Sequence, residues 1–207
     1  MKEGRILGLV IFLTFFILSV SYLSTRNNPI SDDQTLPWQS KVNASGQTEI
    51  YNLVIGSSSF QDAIRTFGKD LEVSLFKNQD ESFQLEAFYN NIEIAQIRGQ
   101  LIVELLMSEN QLSFLQNNIK SSEKLPTGNE KFELNLFAKS SLRNLMIKKI
   151  VFIPKTDIAP STIIDRFGKA DKISSDAQGV EYWIYQEKGL RIIYNANGKE
   201  MMEYSNL

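Results

Sequence analysis

The segment SFQDAIRTFGK at residues 59–69 recurs as STIIDRFGK at residues 161–169, so one short motif occurs twice in the chain. In each copy, apolar residues three or four positions apart form one stripe of a helix. A glycine follows at the place where a helix often ends in a left-handed C-cap. The motif therefore predicts two short helices, each ending in Phe-Gly, and an internal duplication of a larger unit.

Alternating apolar and polar residues follow both helices and, with turn signals between them, predict antiparallel strands. We expect strands of the first copy at residues 71–76, 83–89, 92–97 and 101–106, and of the second at 172–174, 182–185, 190–195 and 199–204. Asn197-Gly198 favours a two-residue hairpin turn between the last two strands. The residues assigned structural roles in these units are Phe67, Gly68, Phe167, Gly168, Asn197 and Gly198.

The region between the two copies carries its own elements. Ser108 and Gln111 form a capping-box pattern, which predicts a helix over residues 108–119. Strands are expected at residues 131–137 and 147–153, joined by a short helix or turn. These strands would extend the sheet of the second unit.

Residues 6–23 form an uncharged apolar run that, as a helix of about 27 Å, is long enough to cross a bilayer. Lys2 and Arg5 precede it, which by the positive-inside rule leaves the rest of the chain outside the cytoplasm. A cleavable signal peptide is the alternative, because residues 19–21 (Ser-Val-Ser) fit a cleavage site. We expect a retained signal-anchor and a single-pass protein of the inner, cytoplasmic membrane.

These observations predict an α+β fold class: an N-terminal transmembrane helix followed by two similar units, each a short helix packed on an antiparallel β-meander. The expected segments are a cytoplasmic N-terminus (1–5), the transmembrane signal-anchor (6–23), a linker (24–47), the first unit (48–120) and the second unit with extra N-terminal strands (121–207).

Composition excludes several classes of chemistry. The 207 residues include no Cys and no His, so the chain has no thiol nucleophile, Ser-His-Asp triad, disulfide or His/Cys zinc site. Its 22 Lys+Arg against 24 Asp+Glu supply no basic field for binding nucleic acid. We therefore expect no cofactor, no metal, no nucleic-acid partner and no enzymatic activity, although carboxylate- or lysine-dependent chemistry remains open.

An aromatic strand, Tyr182-Trp183-Ile184-Tyr185, is the strongest candidate for recognition. Alternation sends Tyr182 and Ile184 to one face of a sheet, and Trp183 and Tyr185 to the other. Both faces could be covered within the protein. If one is open, its aromatic side chains favour binding of another protein, so Tyr182, Trp183 and Tyr185 are the predicted protein-binding residues.

Residues 158–204 resemble the small outer-membrane assembly lipoproteins of the SmpA/OmlA type. The resemblance rests on the helix ending in Phe-Gly-Lys, the aromatic strand at 182–185 and the hairpin around Asn197-Gly198. Members of that family carry a lipobox cysteine, which this chain lacks, so outer-membrane lipid attachment is not implied. The pairing of two such units is also similar, in architecture, to the secreted β-lactamase-inhibitor proteins, which present a concave protein-binding face.

Taken together, the sequence predicts a membrane-tethered, non-enzymatic scaffold or adaptor of the cell envelope. Its partner would be an envelope or membrane protein, bound on the sheet faces or in a groove between the two units. An inhibitor-like module is one alternative. A tethered small-ligand binder or carboxylate-dependent enzyme is another, and an enclosed pocket with convergent acidic or lysine side chains would favour it.

Overall fold

The computed structural model of this chain describes residues 36–195 and 198–207. The predicted transmembrane segment and Asn197 of the predicted hairpin turn lie outside the described residues. Within the described part, none of the helices is long and apolar enough to cross a membrane. Each α-helix there has eight residues or fewer, a rise of about 12 Å against a bilayer core of about 30 Å. The predicted transmembrane signal-anchor and inner-membrane location are corrected accordingly, since no described helix supports them.

The described residues form a ten-stranded antiparallel sheet and a small three-stranded sheet. The small sheet contains β1 (Lys41–Val42), β2 (Thr48–Ile50) and β3 (Leu53–Val54). The large sheet contains β4 (Glu72–Lys77), β5 (Phe83–Ile94), β6 (Ile97–Leu105), β7 (Ile119–Lys124), β8 (Glu130–Leu134), β9 (Ile147–Pro154), β10 (Lys172–Ser175), β11 (Glu181–Tyr185), β12 (Leu190–Tyr194) and β13 (Met201–Ser205). Their order across the sheet is β10-β11-β12-β13-β9-β6-β5-β4-β8-β7.

Short helices connect these strands. The α-helices of the described part are α1 (Phe60–Phe67), α2 (Glu109–Gln116), α3 (Leu136–Ser141) and α4 (Pro160–Phe167). Single 3-10 turns cover Pro37–Gln39, Leu142–Asn144 and Gln186–Lys188. The capping box predicted at the start of α2 is confirmed, because the Ser108 hydroxyl accepts from the Gln111 N–H at 3.3 Å while the Gln111 side chain accepts from the Ser108 N–H at 2.8 Å.

The predicted fold class is wrong in its division into two separate units. β9 pairs with β6 on one side, where Ile102 faces Val151, and with β13 on the other, where Tyr204 faces Ile150. Strands from both predicted meanders therefore belong to one sheet. Turn signals report which neighbouring strands form hairpins, whereas the pairings of β9 join strands that are distant in sequence and depend on the shared core.

One face of the large sheet carries the core. Alternation buries Leu85, Ala87 and Tyr89 of β5, while the residues between them are only partly buried. All four α-helices contribute buried side chains to the same hydrophobic cluster, through Phe60, Ala63, Leu115, Ala138, Ile163 and Phe167. The helices thus cover one face of the sheet, and the other is referred to below as the open face.

Several boundaries differ from the sequence prediction. The strands predicted at residues 83–89 and 92–97 are one strand, β5, with a register shift between Tyr89 and Ile92, and the hairpin turn lies at residues 95–96 instead. The helix predicted over residues 108–119 ends at Gln116, and Ile119 begins β7. The strand expected at residues 131–137 ends at Leu134, because the Asn135 side chain accepts a hydrogen bond from the Ala138 N–H at 2.9 Å and starts α3. Residues 36–47, placed in the predicted linker, include a 3-10 turn and β1. The Pro37 carbonyl accepts from the Tyr204 hydroxyl at 2.9 Å, which fastens this segment to the sheet.

The two Phe-Gly helix ends share one backbone conformation. The Gly68 N–H donates to the Ile64 carbonyl at 3.0 Å, and the Gly168 N–H donates to the Ile164 carbonyl at 2.9 Å. Both glycines have positive φ, 93° and 83°, but their ψ values of −175° and −171° are extended. The predicted left-handed cap is therefore corrected to a conformation that is essentially restricted to glycine.

An ion-pair row crosses the open face from β6 to β12. The Lys149 ammonium lies 3.0 Å from a Glu104 oxygen and 3.5 Å from a Glu203 oxygen, and Arg191 lies 2.5 Å from Glu203. Lys148 adds a 2.7 Å contact to Glu104. Glu104 is only 3% exposed, so its charge depends on these partners.

The pKa values of the row follow from that arrangement. Burial alone would raise the pKa of Glu104, but hydrogen bonds and charge from Lys148 and Lys149 outweigh it and hold this pKa below the ordinary value. Burial would lower the pKa of Lys149, yet Glu104 and Glu203 raise it. Burial, reinforced by the nearby Glu104 charge, raises the pKa of Glu86.

Replacing Gly68 or Gly168 with Ala is expected to lower the free energy of unfolding by about 1–3 kcal/mol at either site, because the backbone conformation excludes a Cβ. No heavy atom lies within 4 Å of the added Cβ at either position, so crowding is not the cause. Urea unfolding measures the change. Lys69→Ala and Lys169→Ala are matched controls at exposed neighbours, and equal losses in glycine and lysine variants would contradict the prediction.

Glu104→Gln is expected to lower the free energy of unfolding by about 1–3 kcal/mol at pH 7. Because the folded-state pKa of Glu104 is lowered, its contribution is present above the unfolded-state pKa and disappears as pH falls through the folded-state pKa. Measured by urea unfolding from pH 7 down to pH 3, the free energy of unfolding of the variant should therefore approach that of the parent. The control Glu133→Gln, which removes an exposed ion pair with Lys120, should change the free energy of unfolding much less. If Glu104→Gln lowered the free energy of unfolding equally at every pH, the Glu104 ion pairs would not be the cause.

Candidate functional site

The predicted protein-binding residues lie on opposite faces of β11. Trp183 and Tyr185 are 5% and 3% exposed and face the core. The Tyr185 ring lies 6.1 Å from that of Phe167 in α4, and its hydroxyl donates to the Gly168 carbonyl at 3.2 Å. These two side chains are inaccessible to a partner and do not form the expected exposed patch. α4 packs on the face of β11 that carries Trp183 and Tyr185, so this face is the covered one. Alternation alone could not show which of the two faces would be covered.

Tyr182 and the structural residues have local roles. Tyr182 lies on the open face, where its hydroxyl donates to Asp176 at 2.9 Å. Phe67 packs edge-on against Tyr51 and Tyr89, at 5.6 and 5.8 Å between ring centres. The Gly198 N–H donates to the Asn195 carbonyl at 3.0 Å. These contacts support the fold and bring no reactive groups together.

The two most exposed large apolar side chains of the described residues are neighbours on α3, whereas Ile164, Ile173 and Leu207, each 49–61% exposed, lie in other parts of the chain. Leu136 is 85% exposed and Phe137 is 68% exposed, at the start of α3. Leu106 and Met146 are each 42% exposed nearby. Phe114 of α2 is half-buried and packs edge-on against Phe137, with 5.7 Å between ring centres. We call these five residues the helical face: Leu106, Phe114, Leu136, Phe137 and Met146.

Two grooves are built into the helical face. One, of about 360 Å³, lies between α2 and the segment after α3, with Leu115, Leu142 and Leu145 in its lining. The second, of about 340 Å³, shares Gln111 and Leu145 with the first and reaches Leu106 and Met146. The two grooves are therefore adjacent, and the first, called the trough below, also has Phe114 in its lining.

A basic rim borders α3 on its other side. Lys69, Lys139 and Arg143 line a groove of about 370 Å³ beside Phe60 and Ile64. Glu72, in the same groove, is paired with Lys131 at 2.8 Å. Within the described part of the chain, the three basic residues have no ion-pair partner, so the rim is net positive.

Sequence reasoning missed the helical face for an identifiable reason. Residues 131–137 were expected to form a strand, in which Leu136 and Phe137 would point to opposite faces and one of them would be covered. As the first two residues of a helix capped by Asn135, both point outward while Ala138 is buried. The available signal was Asn135, a favoured helix N-cap residue, three positions before Ala138.

A larger groove, of about 730 Å³, lies elsewhere on the molecule. It is bounded by the 3-10 turn at Pro37–Gln39, the β5–β6 hairpin, the loop after β9 and α4. Its lining mixes apolar side chains with Glu93, Arg98, Asp157 and Arg166. No group of three or more acidic side chains suited to a metal ion occurs among residues 36–195 and 198–207.

No protein-family model matches this sequence. Comparisons with curated proteins and with solved structures likewise find no match. The resemblance of residues 158–204 to the SmpA/OmlA-type lipoproteins therefore stays a prediction, and function is inferred from the geometry of the chain itself.

Proposed function

We propose that the protein is a non-enzymatic adaptor and that the helical face is its docking surface for an acidic amphipathic helix of another protein. The exposure of Leu136 and Phe137, side by side on α3, carries this proposal. Burying one such side chain contributes about 1.5–3 kcal/mol. Exposed apolar clusters of this kind mark interaction sites on soluble proteins.

The shape of the face favours a helical partner. The trough between α2 and the segment after α3 has apolar walls and is flanked by the ridge of Phe114 and Phe137. An amphipathic helix places its apolar residues three or four positions apart and can fill such a trough while its polar side faces water. Leu136 and Phe137 would then contact its apolar edge.

The charge of the rim favours an acidic partner. Lys139 and Arg143 line the rim beside α3 and form no ion pair among the described residues, although the charge of Lys139 also acts on Glu133. Carboxylates on a bound helix would complement them and guide its approach, since charge complementarity raises association rates and selects partners. Binding is favoured over catalysis because the chain has neither His nor Cys to serve as base or nucleophile.

Photo-crosslinking in cells of the source organism tests the proposal. A photo-reactive phenylalanine analogue at position 137 should form an adduct with one protein, mapped to an acidic amphipathic helix. The same analogue at Thr127, an exposed position in the turn between β7 and β8, is the control. Leu136→Ser should reduce the position-137 adduct by about tenfold, because a buried apolar contact is lost. Equal adducts at both positions, or an adduct on a basic segment, would overturn it.

Charge reversal supplies an independent readout. Lys139→Glu with Arg143→Glu should weaken the adduct at position 137, and raised salt should weaken the parent's adduct as well. Lys124→Glu with Lys172→Glu changes the net charge equally at exposed positions outside the rim. If the second pair weakens the adduct as much as the first, the rim does not select the partner.

A further inference from the structure

We propose that the 730 Å³ groove binds a monocarboxylate with an apolar chain, a molecule of the fatty-acid type, and that the Arg166 guanidinium holds its carboxylate. This site is separate from the helical face and does not depend on the function proposed for that face. Its volume lies within the range of small-molecule sites, about 300–1,000 Å³. The apolar part of its lining is formed by Trp38, Ala95, Ile97, Ile158, Phe167 and Met202.

Ion pairs within the groove leave one of its cations without a carboxylate partner among the described residues. Glu93 accepts from the Arg98 guanidinium at 3.2 Å, and Asp157 is paired with Lys199. Arg166 has no carboxylate partner in the described part of the chain. A ligand carboxylate can therefore pair with Arg166, which a neutral or cationic group cannot do.

The position of Arg166 leaves its donors available. Its guanidinium carbon lies 5.0 Å from the centre of the Trp38 ring. A guanidinium held over an aromatic face keeps its N–H groups directed outward, where a carboxylate can accept two of them. Trp38 is itself held edge-on against Phe167 at 6.3 Å, and its carbonyl accepts from the Lys188 ammonium at 3.1 Å.

The far walls of the groove are also fixed in place. Glu200, 3% exposed, accepts a hydrogen bond from the Ile158 N–H at 3.1 Å and so holds the loop that carries Ile158. The opposite wall is the β5–β6 turn, where Ala95 and Gln96 have φ values of 52° and 67°. Asn-Gly is the favoured pair for such a turn. Ala95 and Gln96 adopt the same positive φ values at a higher energetic cost than Asn and Gly would, and both line the groove.

The test uses the full-length chain and dodecanoate below its micellar concentration, with calorimetry and tryptophan fluorescence as readouts. A Trp183→Phe background leaves Trp38 as the reporter, because these are the two tryptophans of the chain. We expect one dodecanoate per chain and a change in Trp38 emission. Arg166→Gln should raise the Kd by about tenfold or more, because a charge-assisted pair is lost.

Matched control variants distinguish binding in this groove from binding at the helical face and from a general effect of losing one arginine. Arg65→Gln removes the arginine of the other motif copy, which is paired with Asp62, and should leave the Kd unchanged. Leu136→Ser with Phe137→Ser should also leave it unchanged, because those side chains belong to the helical face. Equal affinity of Arg166→Gln and the parent, or binding lost in the Leu136 and Phe137 variant, would overturn the proposal. So would equal binding of dodecylamine or dodecyl phosphate.

The turn provides a second, structural readout. Ala95→Asn with Gln96→Gly should raise Tm by about 2–4 °C for each kcal/mol of relieved strain, because both residues suit positive φ. The same variant should bind dodecanoate more weakly, since it removes two lining side chains. A variant that is more stable and binds dodecanoate as tightly as the parent would show that this wall takes no part in the site.

Discussion

The pairing of β9 on both of its sides is the constraint on which the rest of the structure depends. Val151 faces Ile102 of β6, and Ile150 faces Tyr204 of β13. Ile150 and Phe152 are fully buried in the cluster that contains side chains from all four described helices. Without this strand, each group of flanking strands would expose an edge and lack half of its core.

Both proposed binding surfaces are consequences of covering one broad sheet face with short helices. Helices of eight residues or fewer leave part of that face to turns and loops, and each groove lies where one of these helices borders such a segment. α3 is anchored to the core through Ala138, so its first residues, Leu136 and Phe137, extend beyond the covered area. α4 is anchored through Ile163 and Phe167, which leaves Arg166 at the border of the larger groove.

The two surfaces differ in the physical basis of recognition. The helical face combines wide apolar exposure with a basic rim, which suits a macromolecule that buries area and complements diffuse charge. The larger groove combines an apolar lining with a guanidinium that has no carboxylate partner among the described residues, which suits a small ligand with one anionic end. The ion-pair row of the open face is internally neutralised, with Glu104 and Glu203 matched to Lys149 and Arg191, and therefore contributes to stability instead.

The sequence by itself determined the features that depend on neighbouring residues. The Ser108 cap, the Phe-Gly helix ends at residues 67–68 and 167–168, and the shared orientation of Trp183 and Tyr185 follow from local spacing. Tertiary structure alone decided that Trp183 and Tyr185 face the core, that the predicted meanders share one sheet through β9, and that Arg166 lies over Trp38. Periodicity specifies which side chains share a face, but what covers that face is decided by contacts between residues that are distant in the chain.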